Sequence, residues 1–591
     1  MAGQEIAASC LPVAVPARQS GWLGAFMLAV ALLSPAMAHA QGLPAAAQAV
    51  PQGSPLPRII PPSQPSVGPA TSQPPAAPAP TPARLVTVKS VSVIGSTVYS
   101  HAELAKLTQG LVGRVLLSRI EAARLAILNT YRRDGYLLTA VNARLDAAEH
   151  LTFSVVEGRI ADVKLAGDIG PAGTQVLRFL NHLTRVRPIS NASLERWLLL
   201  AQDIPGVTVH AVLRPSTITP GALELIAQLK RKPFSALLTA DNRGAPFTGP
   251  EEALAVIDAN SFTSFGEQTQ VALFHTLNNT ENFGQASISM FLGGSGLRLN
   301  VYGGAGHTDP SGQLRASGYA GVTEVGGFAL TYPLIRARVQ TLSLGLYFDV
   351  TDGSINTGAP VSTLANHDAV RALRVGAEYV RHDVWLGDAF PATDFARLRL
   401  SRGLPILGAS RRGDPMAERI GEVPDFTKVN AELSRTQTLF SPWQGASVAV
   451  MGLVTGQYSP SVLPPSETFY LGGSQYTRGF YSGEVSGDSG LAATAELQLN
   501  TGFSTTLFGR VMRVANQFYI FADWGETWES QRIDPNHRLQ SEGIGVRTAL
   551  NSNFEFDLEG VMRATRQPQG AAAAVAPLHA DAVYWRVLMR F

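Results

Sequence analysis

The sequence predicts a mainly β protein. A C-terminal 16-stranded antiparallel transmembrane β-barrel follows two small α+β domains. Three observations carry this expectation. From about residue 233 to 591, strands of about ten residues alternate apolar and polar positions between Gly-, Asp-, Asn-, Ser- and Pro-containing loops. Ahead of them a pattern of one strand, two helices and two strands occurs twice. The chain also opens with the features of a secretory leader.

Composition sets the outer limits. The chain has 591 residues, enough for several domains. Charged residues make up 16%, below the roughly 25% usual for soluble proteins. Hydrophobic content is ordinary at 45%, and no apolar run of 18 or more follows residue 40, so no transmembrane helix is expected. A net charge of +2 gives no reason to expect a nucleic-acid partner. The 56 glycines suit many turns and closely packed strands.

The leader is expected over residues 1–40. Arg18 precedes the 13-residue run GWLGAFMLAVALL (21–33), and Ala38-His39-Ala40 stands before Gln41 as an A-x-A cleavage site. That run is too short to span a bilayer. The single cysteine, Cys10, falls in the leader, so the mature chain is expected to hold no disulfide and no thiolate metal site. Residues 41–84 are dominated by Pro, Ala, Gln and Ser. Such a composition cannot build a packed core and predicts an extended linker.

Residues 85–158 form the first small domain. LVTVKSVSVIG predicts a strand; SHAELAKLTQ and SRIEAARLAILNTYRRDGY predict helices. In the second helix Ile120, Ala123, Ile127 and Tyr131 share a face, and Gly135 stands where a C-terminal capping glycine belongs. YLLTAVNARL and HLTFSVVEG complete a β-α-α-β-β order. Residues 159–232 repeat it. RIADVKLAG is a strand, PAGTQVLRFLNHL and NASLERWLLLAQDI are helices, and VTVHAVLRP and ALELIAQLKRK are strands. Asn191 or Ser193 is the expected cap of the second helix of this copy. A repeat of about 75 residues says more than either copy alone.

Residues 233–591 are the barrel. At the C-terminus Val583, Trp585, Val587, Met589 and Phe591 fall on one face; Tyr584, Arg586, Leu588 and Arg590 fall on the other. Phe554, Phe556 and Leu558 alternate with Glu555, Asp557 and Glu559. Leu491, Ala493, Ala495, Leu497 and Leu499 alternate with Thr494, Glu496, Gln498 and Asn500. A period of two demands one apolar and one polar face. A soluble sandwich could also supply it, but closure pairs every backbone group inside a bilayer, and the leader directs the chain out of the cytoplasm.

One stretch stands out: GGSQYTRGFYSGEVSGDSGLAATAELQLN, residues 472–500. It places a single arginine, Arg478, at the end of a Gly-rich loop and just before a strand of strict alternation. A second stretch carries an acid on a barrel strand. Phe518, Ile520, Ala522 and Trp524 are all apolar, so the alternate set with Tyr519, Phe521 and Asp523 is expected to face the lumen.

Leader, Pro-rich linker, two β-α-α-β-β repeats and C-terminal barrel together resemble the TpsB transporters of two-partner secretion, the haemolysin secretion/activation proteins. These share a superfamily with the barrel-assembly proteins BamA and TamA. The resemblance covers nearly all of the mature chain and makes the two repeats similar to POTRA domains, expected in the periplasm. The family's loop tripeptide is matched by Arg478, Gly479 and Phe480, and its strand motif Phe-x-Asp-x-Gly by Phe521, Asp523 and Gly525. The residue before the arginine is often Val in the family and is Thr477 here. The resemblance implies that Arg478 meets Asp523 inside the lumen, that Gly479 allows a tight turn, and that Phe480 packs the tip. It also implies an outer-membrane translocator that exports a large unfolded β-helical exoprotein, haemolysin- or adhesin-like, recognised by the POTRA domains. The alternative is an outer-membrane assembly factor of the BamA/TamA type, which usually carries more POTRA units.

Other motifs carry less. Gly487-Asp488-Ser489-Gly490 matches a serine-protease nucleophile run, but no triad accompanies it. The glycines of residues 293–306 precede no helix, and there is no Walker A sequence, so no nucleotide partner is expected. His382-Asp383 is a lone pair without an H-E-x-x-H motif. Arg411-Arg412 is expected in a solvated loop. The expected protein is not an enzyme, takes no cofactor or metal, and has outer-membrane lipid and a secreted client as its partners.

Overall fold

The computed structural model describes residues 84–591 apart from 217–221, 312–314, 317, 359–362, 508, 532–534 and 568–576. The leader expected over 1–40, and all but the last residue of the linker, lie outside the described residues.

In the first unit, strand Ser90–Ile94 runs parallel to His150–Val156, which pairs antiparallel with Ala140–Leu145. Helices His101–Leu107 and Leu117–Arg133 cover this sheet. The first helix starts in a capping box. The Ser100 hydroxyl accepts from Glu103 N, and the Glu103 carboxylate accepts from Ser100 N at 2.9 Å. In the second, Ile120, Ala123, Ile127 and Tyr131 are buried against Leu151 and Phe153. Its end turns through Gly135 at φ +86°. One expectation needs correcting: LVTVKSVSVIG is not one strand. At Lys89, whose N–H donates to Glu149 O at 2.8 Å, the chain changes partner. Leu85–Val88 leaves the sheet and pairs with Gly113–Leu116, a four-residue strand too short to be read from the sequence.

Glu157 ties the helix layer of this unit to its loops. Burial alone would raise its pKa. Hydrogen bonds from Thr97, from Tyr131 Oη (2.7 Å) and from Val98 N (3.1 Å) overcome that and hold the carboxyl below the usual carboxylate range. The stabilisation is therefore present above the unfolded carboxylate pKa and is lost as pH falls through the folded value. Glu157→Gln is expected to weaken residues 84–158 at neutral pH and to flatten their acid-induced loss of hydrogen-exchange protection in the full chain. A variant as acid-sensitive as wild type would refute this.

The second unit has the same topology. Ile160–Ala166 lies parallel to Leu223–Arg231, which pairs antiparallel with Val207–Pro215. Its helices are Gly173–Leu180 and Asn191–Gln202. The cap of the latter is Ser190, one residue before the expected pair. Ser190 has the extended conformation a cap requires (φ −93°, ψ 153°), and its hydroxyl accepts from Ser193 N at 3.2 Å. Asn191 is already helical.

This unit is docked on the barrel. Phe291, from a barrel strand, is part of its core, and Gln175 Nε2 donates to Gly293 O at 2.8 Å. Arg336, at the end of barrel strand Ala320–Arg336, grips Asp203 with two hydrogen bonds of 2.7 and 2.8 Å, both side chains being largely buried. Asp203→Ala strands that guanidinium, at a cost of about 3–5 kcal/mol if it stays buried. The expected result is faster protease cleavage within 159–232 while the barrel stays intact; unchanged cleavage would count against the pair as a docking clamp.

The sheet of residues 234–590 closes into an antiparallel barrel of 16 strands. The last strand, Asp581–Arg590, pairs with the first, Phe234–Asp241, from Arg586↔Asp241 to Arg590↔Leu237. Alternation sorts the faces. On Arg510–Trp528, Phe518 and Ile520 are 48% and 54% exposed on the outside, whereas Tyr519, Phe521 and Asp523 are at most 5% exposed inside. Strands Ala320–Arg336, Gln340–Thr357 and Thr363–Asp383 are 17, 18 and 21 residues long, well beyond the ~9–11 needed to cross a bilayer. Among the described residues no helix is long and apolar enough to cross a membrane.

Candidate functional site in the barrel lumen

The loop between strands Ala446–Tyr458 and Ser489–Leu507 turns into the barrel from the end away from the N-terminal units. Inside it, Phe469–Leu471 and Val485–Gly487 pair as a two-stranded hairpin. An apolar knot of Phe469, Leu471, Phe480, Val485, Ala492 and Leu539 seats it on the wall. Burying Phe480 completely removes the largest apolar group of the tip from water.

The turn that presents Arg478 is set by the residue before it. Thr477 has φ +54°, uncommon for a β-branched side chain. Its hydroxyl accepts from Gly472 N at 2.8 Å and donates to Tyr476 O at 2.6 Å, so the Thr that stands where Val is frequent adds two bonds to the turn.

Arg478 is buried and fully engaged. Its backbone N–H and Nε both donate to Asp523 Oδ2, at 2.8 and 3.1 Å, and Nη2 donates to Asp523 Oδ1 at 3.1 Å. Nη1 donates to Glu496 Oε2 at 2.5 Å and stands 3.8 Å from Glu559 Oε1. The guanidinium lies over the Phe521 ring, 3.8 Å from its centroid. Two more arginines complete the cluster. Arg547 bonds Glu496 at 2.7 Å and stacks on Tyr519; Arg243 pairs with Glu559 and donates to Arg478 O at 2.6 Å. Three guanidiniums thus face three carboxylates. The Arg–carboxylate forks satisfy buried groups that would each be costly alone.

Phe521, Asp523 and Gly525 sit on one face of one strand and serve one loop. Phe521 underlies the guanidinium and Asp523 grips it. Gly525 leaves room for the loop: a Cβ there would come within 2.8 Å of Leu471 and 2.9 Å of Thr477. Gly479 is needed for the same reason. Its φ lies outside the left-handed region, so flexibility is not the issue. A Cβ would stand 2.4 Å from Ser541 Cβ and 2.9 Å from Val561 Cγ1. Gly479 N donates to Ser541 Oγ at 3.2 Å, and its carbonyl accepts from Arg563 Nε at 2.5 Å and Tyr584 Oη at 3.2 Å.

Sequence reasoning did not single out Arg243, Glu496, Arg547, Glu559, Arg563 or Tyr584 as partners of the tip. Charged residues at lumen-facing positions were visible for Glu496 and Glu559, but the strand that each would meet across the ring was not. The Gly-Asp-Ser-Gly run closes the loop. Asp488 is buried, accepts from Leu463 N (2.7 Å) and Ser530 N (2.8 Å), and pairs with Arg419 at 2.7 Å. Ser489 Oγ is bonded to Ser459 N and O. His382 Nδ1 meets Thr393 Oγ1 at 3.0 Å and Asp383 meets Arg435 at 3.1 Å. Arg412 is exposed and pairs with Asp425 at 3.0 Å.

Comparison with known proteins gives consistent matches. A family profile described as haemolysin secretion/activation protein ShlB/FhaC/HecB matches residues 225–548, and one for the ShlB-type POTRA domain matches residues 86–158. The heme/hemopexin transporter protein HuxB of Haemophilus influenzae strain 86-028NP is 24% identical over 457 residues, 75% of this chain and 77% of the relative. The fold is shared with CdiB from Escherichia coli (TM-score 0.66, 19% identity, 88% of this chain and 93% of that one). It is also shared with CdiB from Acinetobacter baumannii (TM-score 0.57, 18% identity, 86% and 90%).

Proposed function

This chain belongs to the haemolysin secretion/activation protein family, the outer-membrane transporters of two-partner secretion, and we propose that the loop bearing Arg478 holds its barrel in a secretion-competent arrangement. The observation that supports this is the complete engagement of Arg478 with Asp523 and Glu496 in the lumen. A segment built to float in a pore would not carry a buried guanidinium with matched acids on two strands. The client is a large unfolded exoprotein of the β-helical, haemolysin- or adhesin-like kind.

The N-terminal units are its receiving surface. Both sheets end in an exposed edge, Ala140–Leu145 in one and Val207–Pro215 in the other. An unfolded client can add a strand there, with backbone hydrogen bonds for affinity and side-chain pockets for selectivity. The sequence holds no Walker A motif, so folding of the client outside the cell is the proposed bias that draws it outward.

Co-expression with a candidate large secreted β-helical protein tests the reading. The expected result is partner in the medium with the wild-type transporter and none without it. If nothing is exported, and other outer-membrane barrels are depleted when the protein is deleted, the function is barrel assembly.

A further inference from the structure

The loop is tied to the barrel at a second place, eleven residues before Arg478. Pro465–Glu467 forms a single 3-10 turn, and Glu467 is almost wholly buried. Its carboxylate accepts both ends of the Arg374 fork, at 2.9 and 2.6 Å, and pairs with Lys428 Nζ at 2.7 Å. Its carbonyl accepts from Lys428 Nζ at 2.6 Å and Gln457 Nε2 at 2.9 Å. Arg374 in turn donates through Nε to Asp349 Oδ2 at 2.5 Å, and Tyr302 Oη donates to Asp349 Oδ1 at 2.6 Å.

These partners lie on another part of the ring. Tyr302, Asp349, Arg374, Lys428 and Gln457 stand on the fifth, seventh, eighth, tenth and eleventh barrel strands. The partners of the tip, Glu496, Asp523, Arg547 and Glu559, stand on the twelfth to fifteenth. The loop is strung between two ion clusters on different walls. Removing Glu467 would leave two buried cations with Asp349 as their remaining carboxylate in this cluster.

We propose that Glu467 is a second anchor, a positioning residue that holds the leading limb of the loop, and that the loop clears the lumen only when both clusters release it. This rests on the reading of the loop as a secretion element. Either cluster alone keeps the segment in place, because each buries charges that would be stranded by its departure.

The test uses the full chain in planar lipid bilayers, where no client is required, so its failure is separate from failure of the export reading. Lys428→Gln with Glu467→Gln removes one charge of each sign and leaves Arg374 with Asp349, which spares the barrel an unpaired cation. Retained heat-modifiable mobility on gels confirms assembly. Arg478→Ala alone and the Lys428/Glu467 pair alone are each expected to raise channel open probability modestly. Combining the three is expected to raise it by about tenfold or more over either, the coupling of two clusters that hold one segment. Glu467→Asp, which keeps the charge on a shorter arm, should behave more like wild type than Glu467→Gln does. The proposal is overturned if Arg478→Ala already gives the open probability of the triple variant, or if the Lys428/Glu467 pair adds nothing in either background. A role in packing alone would lower the temperature of heat-modification and leave the conductance unmoved.

Discussion

Replacing Arg478 by alanine is expected to abolish export of the partner while the barrel still assembles in the outer membrane. The side chain makes three hydrogen bonds to carboxylates, and its loss leaves Asp523, Glu496 and Glu559 with two guanidiniums among them. Breaking a buried ion network on one side costs about 3–5 kcal/mol, a factor on the order of 100 to several thousand in the equilibrium between seated and unseated tip, while Glu467 still holds the leading limb of the loop. The barrel itself rests on the backbone ladder of its strands, to which this side chain contributes nothing. Asp523→Ala should reproduce the defect from the other side. Lysine at 478 should rescue poorly, because a point charge cannot reach Asp523 and Glu496 as a planar fork does. Partner protein in the medium, measured beside heat-modifiable mobility of the transporter, is the readout. Normal export by assembled Arg478→Ala would sink the role assigned to the loop.

Gly479→Ala is expected to impair export strongly although it adds one methyl group. That methyl would sit 2.4 Å from Ser541 Cβ, a separation real side chains do not tolerate. The tip cannot back away without stretching the bonds from Ser541, Arg563 and Tyr584 to the Gly479 backbone. Overpacking of this kind costs about 1–3 kcal/mol, and here the strain falls on Arg478, the residue immediately before it. The suppressor is specific. Ser541→Gly removes the two nearest atoms, at the cost of the hydroxyl that accepts from Gly479 N, and should restore export to Gly479→Ala in part, the tip still having to yield to Val561 Cγ1 at 2.9 Å. A double variant no better than the single one would show that the glycine is required for another reason.

The two motifs of the site differ in how much of them was readable. Asp523 could be placed toward the lumen because its strand neighbours Phe518, Ile520, Ala522 and Trp524 are all apolar. The motif around it drew attention to Phe521 and Gly525 but not to what they do. That Phe521 lies beneath a guanidinium, and that Gly525 makes room for Leu471 and Thr477, depends on a loop folded back from about fifty residues earlier in the chain. Glu467 shows the same limit more sharply. It is one acid in a polar loop, and nothing local distinguishes it from a solvated residue. Its environment is made by Arg374 and Lys428, 93 and 39 residues away.

By itself the sequence determined the barrel's alternation, its inner and outer faces and the doubled α+β unit. These follow from periodicity and capping chemistry, which act over a few residues at a time, whereas the meeting of Arg478 with Asp523 was implied only by the family resemblance. The tertiary structure alone decided the break at Lys89, the Ser190 cap, and above all the two ion clusters that seat the loop. Which charges meet inside a barrel is set by closure and by the stagger between strands. Those place side chains from distant strands on one level of the lumen, and no run of neighbouring residues encodes that level.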